Sequence, residues 1–311
     1  MMESVAAGTN EAPVVEAQAL TKIWPTTVAL SDADISIGHG ITGLLGANGA
    51  GKTTLLGMLL GLHPRTSGEL AVLGYDPMRH GAHVRERVGY SPESHELPPD
   101  VRAHDLVRHV AEIHGLPRRD AVARSSDALW QVGLGEERHR PISTMSTGQK
   151  QRVKLAQSFV HDPDLILLDE PTDGLDPVQR DLMLNLIRRI GTEFGIDVIL
   201  SSHVLDEVER VCDAVTILSE GRVVASGSLA ELRGHGEGVI VEVDSDSSAI
   251  AEALHDRGIE TRIDGSRIIA RSTDPDLDIV VRDVIAASGT GLRRLERRTV
   301  SLEDVFLEVG T

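Results

Sequence analysis

The distribution of apolar positions along the chain predicts a mixed α/β protein. Residues 14–24 and 28–37 have the pattern of strands, with Pro25 turning one into the other. The apolar run 41–45 suits a short buried strand, and 54–61 suits a helix behind it. Gly68 marks a turn before a strand at 69–74, and a short apolar piece at 88–90 runs into SPESHELPPD, a loop dense in proline and acid. The pattern then becomes helical. Asp105, Leu106, His109, Val110 and Ile113 outline one amphipathic helix ended by Gly115 and Pro117, and 121–132 outline a second, in which Trp130 is expected to pack. Val153, Leu155 and Ala156 mark a third within 145–160. Residues 165–168 form a four-residue apolar strand, a helix follows to about 190, and 197–201 form another buried strand.

After about residue 236 the order becomes strand (239–244), helix (248–257), strands (259–263 and 267–271), helix (277–287) and a last extended piece (292–299). That is the β-α-β-β-α-β succession of ferredoxin-like domains. SLEDVFLEV at the end predicts a short helix with Leu302, Val305, Phe306 and Val309 on one face, docked on the body or on a twin subunit. The expected division is a loose tail at 1–12, a main domain at 13–235 with a helical part at about 96–160, and a small α+β accessory domain at 236–311.

Chemistry enters at GANGAGKT, residues 46–53, which fills every fixed position of the phosphate-loop pattern. Its glycines let backbone N–H groups curl around phosphate oxygens, and the helix start behind it adds partial positive charge. Gly46, Asn48, Gly49, Gly51, Lys52, Thr53 and Thr54 are the expected nucleotide-binding residues. Lys52 is expected to reach the terminal phosphates, and the Thr53 hydroxyl to ligand Mg²⁺. The plainer alternative is a glycine-rich turn that only links strand to helix. Asp169 and Glu170 end the apolar strand 165–168, where a Mg²⁺-organising Asp and a water-activating Glu are expected; the plainer alternative is a charged strand terminus. Ser146, in MSTGQ, is either a helix cap or part of a second anion site. Trp24 is either an adenine-stacking aromatic or an ordinary core or edge residue. His203, a lone histidine after a strand, has a structural role as its default.

Composition narrows the classes. The 311 residues suggest one large domain or two unequal ones, and 41% hydrophobic content supports a proper core. A net charge of −17 and only 2% aromatic residues argue against nucleic acid or an anionic bilayer as the main direct partner. Arg293, Arg294, Arg297 and Arg298 are expected on a solvated strand face. The single cysteine, Cys212, excludes an intrachain disulfide and fits a buried apolar position in a reducing compartment. No run of about 18 apolar residues predicts a membrane span. MMESVAAGTNEA lacks the basic start and apolar centre of a signal peptide, so an intracellular protein is expected. His104, His109 and His114 rotate around a helix rather than sharing a face, which does not suit a metal set.

Together these pieces resemble the nucleotide-binding subunit of an ATP-binding cassette (ABC) transporter, over roughly residues 14–230. The resemblance rests on the phosphate loop, STGQ at 146–149 as the signature loop, LILLDEP at 165–171 as Walker B, DGLD at 173–176 as the D-loop, and His203 as the switch histidine. It implies an α/β phosphate-loop NTPase core with a helical signature subdomain and a split site between two head-to-tail subunits. ATP would lie between Lys52 and Thr53 of one chain and Ser146, Gly148 and Gln149 of the other. Catalysis would fall to Glu170, polarising the attacking water, and His203, contacting the γ-phosphate. Mg²⁺ would be held by Thr53, Glu93 and Asp169, Asp176 would communicate across the dimer, and Trp24 would stack on adenine.

Two positions depart from the family's pattern. Glu93 stands where the Q-loop usually has Gln, adding charge beside Asp169 and Glu170, and Thr147 replaces a signature Gly. The tail resembles ATPases of the drug- and antibiotic-exporting branch. The implied function is therefore ATP hydrolysis powering a drug, antibiotic or lipid-like exporter. Its implied partners are a second copy or homologous ATPase subunit and a separate permease, and its place is the cytoplasmic face of the cell membrane. The alternative is a soluble ABC-type ATPase in translation, DNA repair or cofactor assembly. Such proteins usually carry two cassettes, coiled coils or zinc insertions.

Overall fold

A computed structural model of the chain describes residues 12–94, 96–234, 238–244, 247–265, 267–272 and 276–298. The tail at 1–11 and the expected helix at 301–309 lie outside the described residues. Two compact units emerge, 1–226 and 227–311.

The first unit opens with strands β1 (Val15–Trp24) and β2 (Thr27–Ile37), then β3 (Ile41–Leu45), helix α1 (Lys52–Leu59) and strand β4 (Ser67–Val72). Helix α2 (Gly81–Arg87) leads into β5 (Val88–Ser91), and helices α3 (Ala103–Ile113), α4 (Arg118–Gln131) and α5 (Thr147–Phe159) follow. The rest of the unit is β6 (Leu165–Asp169), α6 (Pro177–Glu193), β7 (Asp197–Ser202), α7 (Leu205–Val211), β8 (Ala214–Ser219) and β9 (Arg222–Ser228). A three-stranded antiparallel sheet has the order β2-β1-β4, and a six-stranded sheet the order β5-β6-β7-β3-β8-β9. In the larger sheet the pairs β5–β6, β6–β7, β7–β3 and β3–β8 are parallel.

Every residue of β3 and β6 is buried, as expected for central parallel strands covered on both faces. Leu55, Leu56 and Leu59 of α1 share one core with Leu44, Leu167 and Ile199. Each such leucine contributes about 1.5–3 kcal/mol through burial. That packing fixes α1, and with it the start of the phosphate loop's helix, against the sheet.

The second unit comprises α8 (Leu229–Gly234), β10 (Gly238–Val243), α9 (Ser247–His255), β11 (Glu260–Asp264), β12 (Arg267–Arg271), α10 (Leu277–Ser288) and β13 (Leu292–Arg298). Its antiparallel sheet has the order β11-β12-β10-β13, which places the first and third strands side by side and the fourth outside the first. Val239, Val241 and Val243 share a core with Ile250 and Leu254 of α9 and Val281, Val284 and Ile285 of α10. Order and layering are those of a ferredoxin-like α+β fold. Arg293 and Arg294 are exposed and pair with Asp244 and Glu296; the side chains of Arg297 and Arg298 lie outside the described residues.

Several features differ from the sequence expectations. The units part after Ser226, ahead of the expected boundary at 235. The turn into α8 is locked by reciprocal hydrogen bonds, Ser228 N–H to Glu231 Oε2 and Glu231 N–H to Ser228 Oγ, both 3.0 Å, and it groups with the second unit. Trp130 does not pack: it is 67% exposed on α4. Helix α2 has one buried residue, Val84, and so no apolar stripe to announce it. Cys212 is buried as expected, and burial pushes its thiol up to about 12.

His161, just after α5, stacks on His114 at the end of α3, with ring centroids 3.7 Å apart and planes 19° from parallel. Burial, then the neighbouring His114, pushes His161 down from 6.5 to about 4. The unfolded chain therefore binds more protons between those values, so stability rises with pH from about 4 to 6.5 and falls on acidification through that window. In urea titrations across this range, His161→Gln is expected to flatten the rise. An unchanged slope would show that His161 does not carry it.

Candidate functional site

The parallel register brings three loops off one edge of the large sheet. Leu45 at the end of β3 pairs with Ser202 at the end of β7, and Asp169 at the end of β6 pairs with Ser201. The phosphate loop, the acidic pair and His203 therefore leave from the carboxyl ends of adjacent strands, where open α/β sheets bind ligands.

Gly51 is the N-cap of α1 with φ 108°, and a Cβ there would lie 2.5 Å from the Ala29 carbonyl oxygen, so only glycine fits. No side chain caps α1, which leaves its first amides free to receive an anion. Lys52 folds back over the loop. Its Nζ donates to the Gly46 carbonyl at 2.6 Å and sits 3.1 Å from Glu170 Oε1. In front lies a cavity of about 480 Å³, within the range of small-ligand sites, lined among others by Asn48, Gly49, Gly51, Lys52, Thr53 and Thr54. Trp24, Glu93 and Glu170 complete the predicted residues on its wall.

Trp24 ends β1 half-buried. His63 meets its ring edge-on at 5.2 Å between centroids, and the buried Lys22 ammonium lies 4.1 Å from its centroid. That cation is itself fixed by the Pro64 carbonyl at 2.8 Å. The indole is thus braced, and it still reaches the cavity.

The acidic pair is tightly held. Ser201 Oγ donates to Asp169 Oδ1 at 2.6 Å and accepts from the Glu170 N–H at 3.0 Å. Asp169 Oδ2 is buried without a hydrogen-bond partner. Glu170 has φ +46°, a strained backbone for a non-glycine residue, at a cost of about 1–3 kcal/mol. Its Oε2 meets His203 Nδ1 at 2.9 Å while its Oε1 faces Lys52. One carboxylate is therefore gripped between the phosphate-loop lysine and the switch histidine.

The signature residues are elsewhere. Ser146, Gly148 and Gln149 do not line this cavity. Ser146 caps α5 in a reciprocal box: its Oγ accepts from the Gln149 N–H at 3.3 Å, and the Gln149 Oε1 accepts from the Ser146 N–H at 3.0 Å. Thr147 begins the helix, and a Cβ on Gly148 would come within 2.5 Å of Gln179 Oε1. Asp176 caps α6, its Oδ1 accepting from the Gln179 N–H at 3.0 Å, with Pro177 at the first helical position.

Sequence reasoning did not single out Ser201, whose signal was a Ser-Ser-His ending on an apolar strand. Nor did it find Lys154, buried in α5, whose Nζ donates to the Glu93 carbonyl at 3.4 Å. Burial pushes this ammonium down to about 8, against the opposing pull of Asp169, Glu93 and Asp173.

The family model described as ABC transporter matches residues 30–173. The Nod factor export ATP-binding protein I of Ralstonia nicotianae is 32% identical over 307 residues, 97% of this chain and 95% of that protein. The linearmycin resistance ATP-binding protein LnrL of Bacillus subtilis is 33% identical over 220 residues, 70% of each chain. Among solved structures, cbiO1 of Clostridium perfringens, part of the ABC transporter complex cbiONQ, superposes with a TM-score of 0.66 at 29% identity, covering 71% of this chain and 91% of that one. Motifs, sheet order and relatives agree: the chain belongs to the ABC transporter family as an ATP-binding subunit, and it is an ATPase.

Proposed function

We propose that this subunit hydrolyses ATP at Glu170 to drive a membrane exporter formed by a separate permease chain. The observation that carries the chemistry is the placement of Glu170 between Lys52 and His203 at the mouth of the phosphate loop. In this reading the amides of residues 49–54 and Lys52 hold the phosphates, and Trp24 stacks on the adenine. Glu170 accepts the proton of the attacking water, while His203 fixes the carboxylate and meets the γ-phosphate. Water excluded by the closed site lets positioning and charge neutralisation lower most of the barrier.

Mg²⁺ fits the donor set. The Thr53 hydroxyl, the unpartnered Asp169 Oδ2 and the Glu93 carboxylate are hard oxygen donors suited to that cation. Bound there, it would neutralise charge developing on the phosphate oxygens.

The signature loop's position supports a head-to-tail dimer: Ser146 and Gly148 lie off their own chain's cavity, and in this reading they serve a partner's nucleotide, with Asp176 signalling across the contact. The partner subunit is a second copy or a homologous ATPase. Closure would push permease loops lodged near Glu93 and the helical region 96–140. The exporter assignment is supported by relatives named for linearmycin resistance and Nod factor export. Among the described residues no helix is long and apolar enough to cross a membrane, which suits attachment through the permease at the inner face of the cell membrane.

Glu170→Gln is expected to cut turnover by roughly two to four orders of magnitude with ATP binding intact; normal turnover removes Glu170 from the role. Lys52→Ala is expected to weaken ATP binding by roughly 10- to 100-fold in equilibrium titration, the loss of a charged hydrogen-bond donor. Affinity equal to wild type would overturn the phosphate-loop assignment. Tagged Glu170→Gln protein, purified from detergent-solubilised membranes with ATP, is expected to bring down a polytopic protein without its own cassette. Recovery only of ribosomes, DNA or soluble partners would sink the transport role.

A further inference from the structure

Glu207, on α7, is 2% exposed and lies outside the phosphate loop, the signature loop, Walker B and the D-loop. Its Oε2 accepts hydrogen bonds from two buried hydroxyls, Thr172 Oγ1 at 2.7 Å and Ser202 Oγ at 3.0 Å. Its Oε1 lies 3.2 Å from Arg180 Nε as an ion pair, and neither of these two atoms has a hydrogen-bond partner. The three partners come from three functional segments. Thr172 is two residues past Glu170, in the turn that leads to the D-loop. Ser202 directly precedes His203, and its Oγ also accepts from the Val204 N–H at 3.0 Å, so it shapes the turn that aims the histidine. Arg180 stands one turn into α6, its N–H bonded to the carbonyl of the capping Asp176 at 2.9 Å.

We propose that Glu207 is a positioning residue that ties the D-loop helix, the segment after Glu170 and the switch-histidine strand to one buried carboxylate, so that displacement at the dimer contact moves His203 and Glu170 together. The inference rests on the roles proposed for Glu170, His203 and Asp176. The physical grounds are the cost of burying a carboxylate and the geometry of its partners. A buried anion holds its partners in place, because releasing any one of them leaves charge or a hydroxyl unsatisfied in a water-poor interior. Arg180 is the partner most able to transmit movement. It is partly exposed, it belongs to the helix that begins at the D-loop, and it touches Glu207 by charge alone, without hydrogen-bond alignment. Thr172 and Ser202 are buried and move only with the backbone of the catalytic segments.

The test uses the full-length protein with Glu207→Gln, Arg180→Met and the double variant. Glutamine keeps an acceptor for the two hydroxyls and removes the charge that Arg180 meets. The expected result is a fall in kcat of about 10- to 100-fold, the scale of a misplaced catalytic group. Equilibrium binding of a fluorescent ATP analogue should stay at its wild-type value, and the melting temperature, which loss of the buried ion pair lowers, should stay well above the assay temperature. Arg180→Met should lower kcat as well, and the double variant should be no slower than Glu207→Gln, since both changes break the same link. Wild-type kcat in Glu207→Gln, additive losses in the double variant, or a kcat loss that merely follows lost folding or lost ATP affinity would each overturn the proposal. Glu170→Gln is assayed alongside: if that variant turns over normally, the catalytic assignment itself has failed, whereas slow Glu170→Gln with normal Glu207→Gln removes only the role of Glu207.

Discussion

The Lys52–Glu170 contact is the interaction on which the site depends. Both groups are nearly buried, and a buried charge is tolerable only when paired. In the proposed mechanism each answers to a different reactant, the lysine to the phosphates and the carboxylate to water. In that mechanism a phosphate entering the loop would compete with Glu170 for the ammonium, so that binding and the freeing of the base would be a single exchange of charge partners. The hydrogen bond to His203 at 2.9 Å would keep hold of the carboxylate during that exchange. Packing of α1 against the central strands, and the glycine start that only residue 51 permits, hold the two partners of that exchange in register.

The second unit shares none of these parts. Its four strands and two packed helices bury their own valine- and isoleucine-rich core and leave charged residues such as Arg293 and Arg294 outside.

The phosphate loop, the acidic pair and the β-α-β-β-α-β tail are legible because each is written in consecutive residues. A filled motif, an apolar run ending in Asp-Glu, and alternating strand and helix patterns need no long-range information. Trp130 is the opposite case: its helix is amphipathic, but which face meets the body depends on neighbours distant in sequence. Glu207 is invisible on the same grounds. Its partners at 172, 180 and 202 converge only after α6 and α7 pack together, and a glutamate in a short polar helix reads as solvent-facing. The parting of the units is displaced because the readable strand pattern resumes only at 239, while the fold changes where the Ser228–Glu231 bonds lock a new helix.

The capping box at Ser146 bears on how the signature loop would meet an anion in the proposed dimer. One of its two Oγ lone pairs is engaged by the Gln149 N–H, and the hydroxyl proton stays available to donate. In the proposed dimer that proton would donate to a phosphate oxygen while the same oxygen keeps its cap. Because the same oxygen starts α5, helix initiation and the proposed phosphate recognition would share one side chain, and Ser146→Asp would part them by keeping the cap while removing the hydroxyl proton.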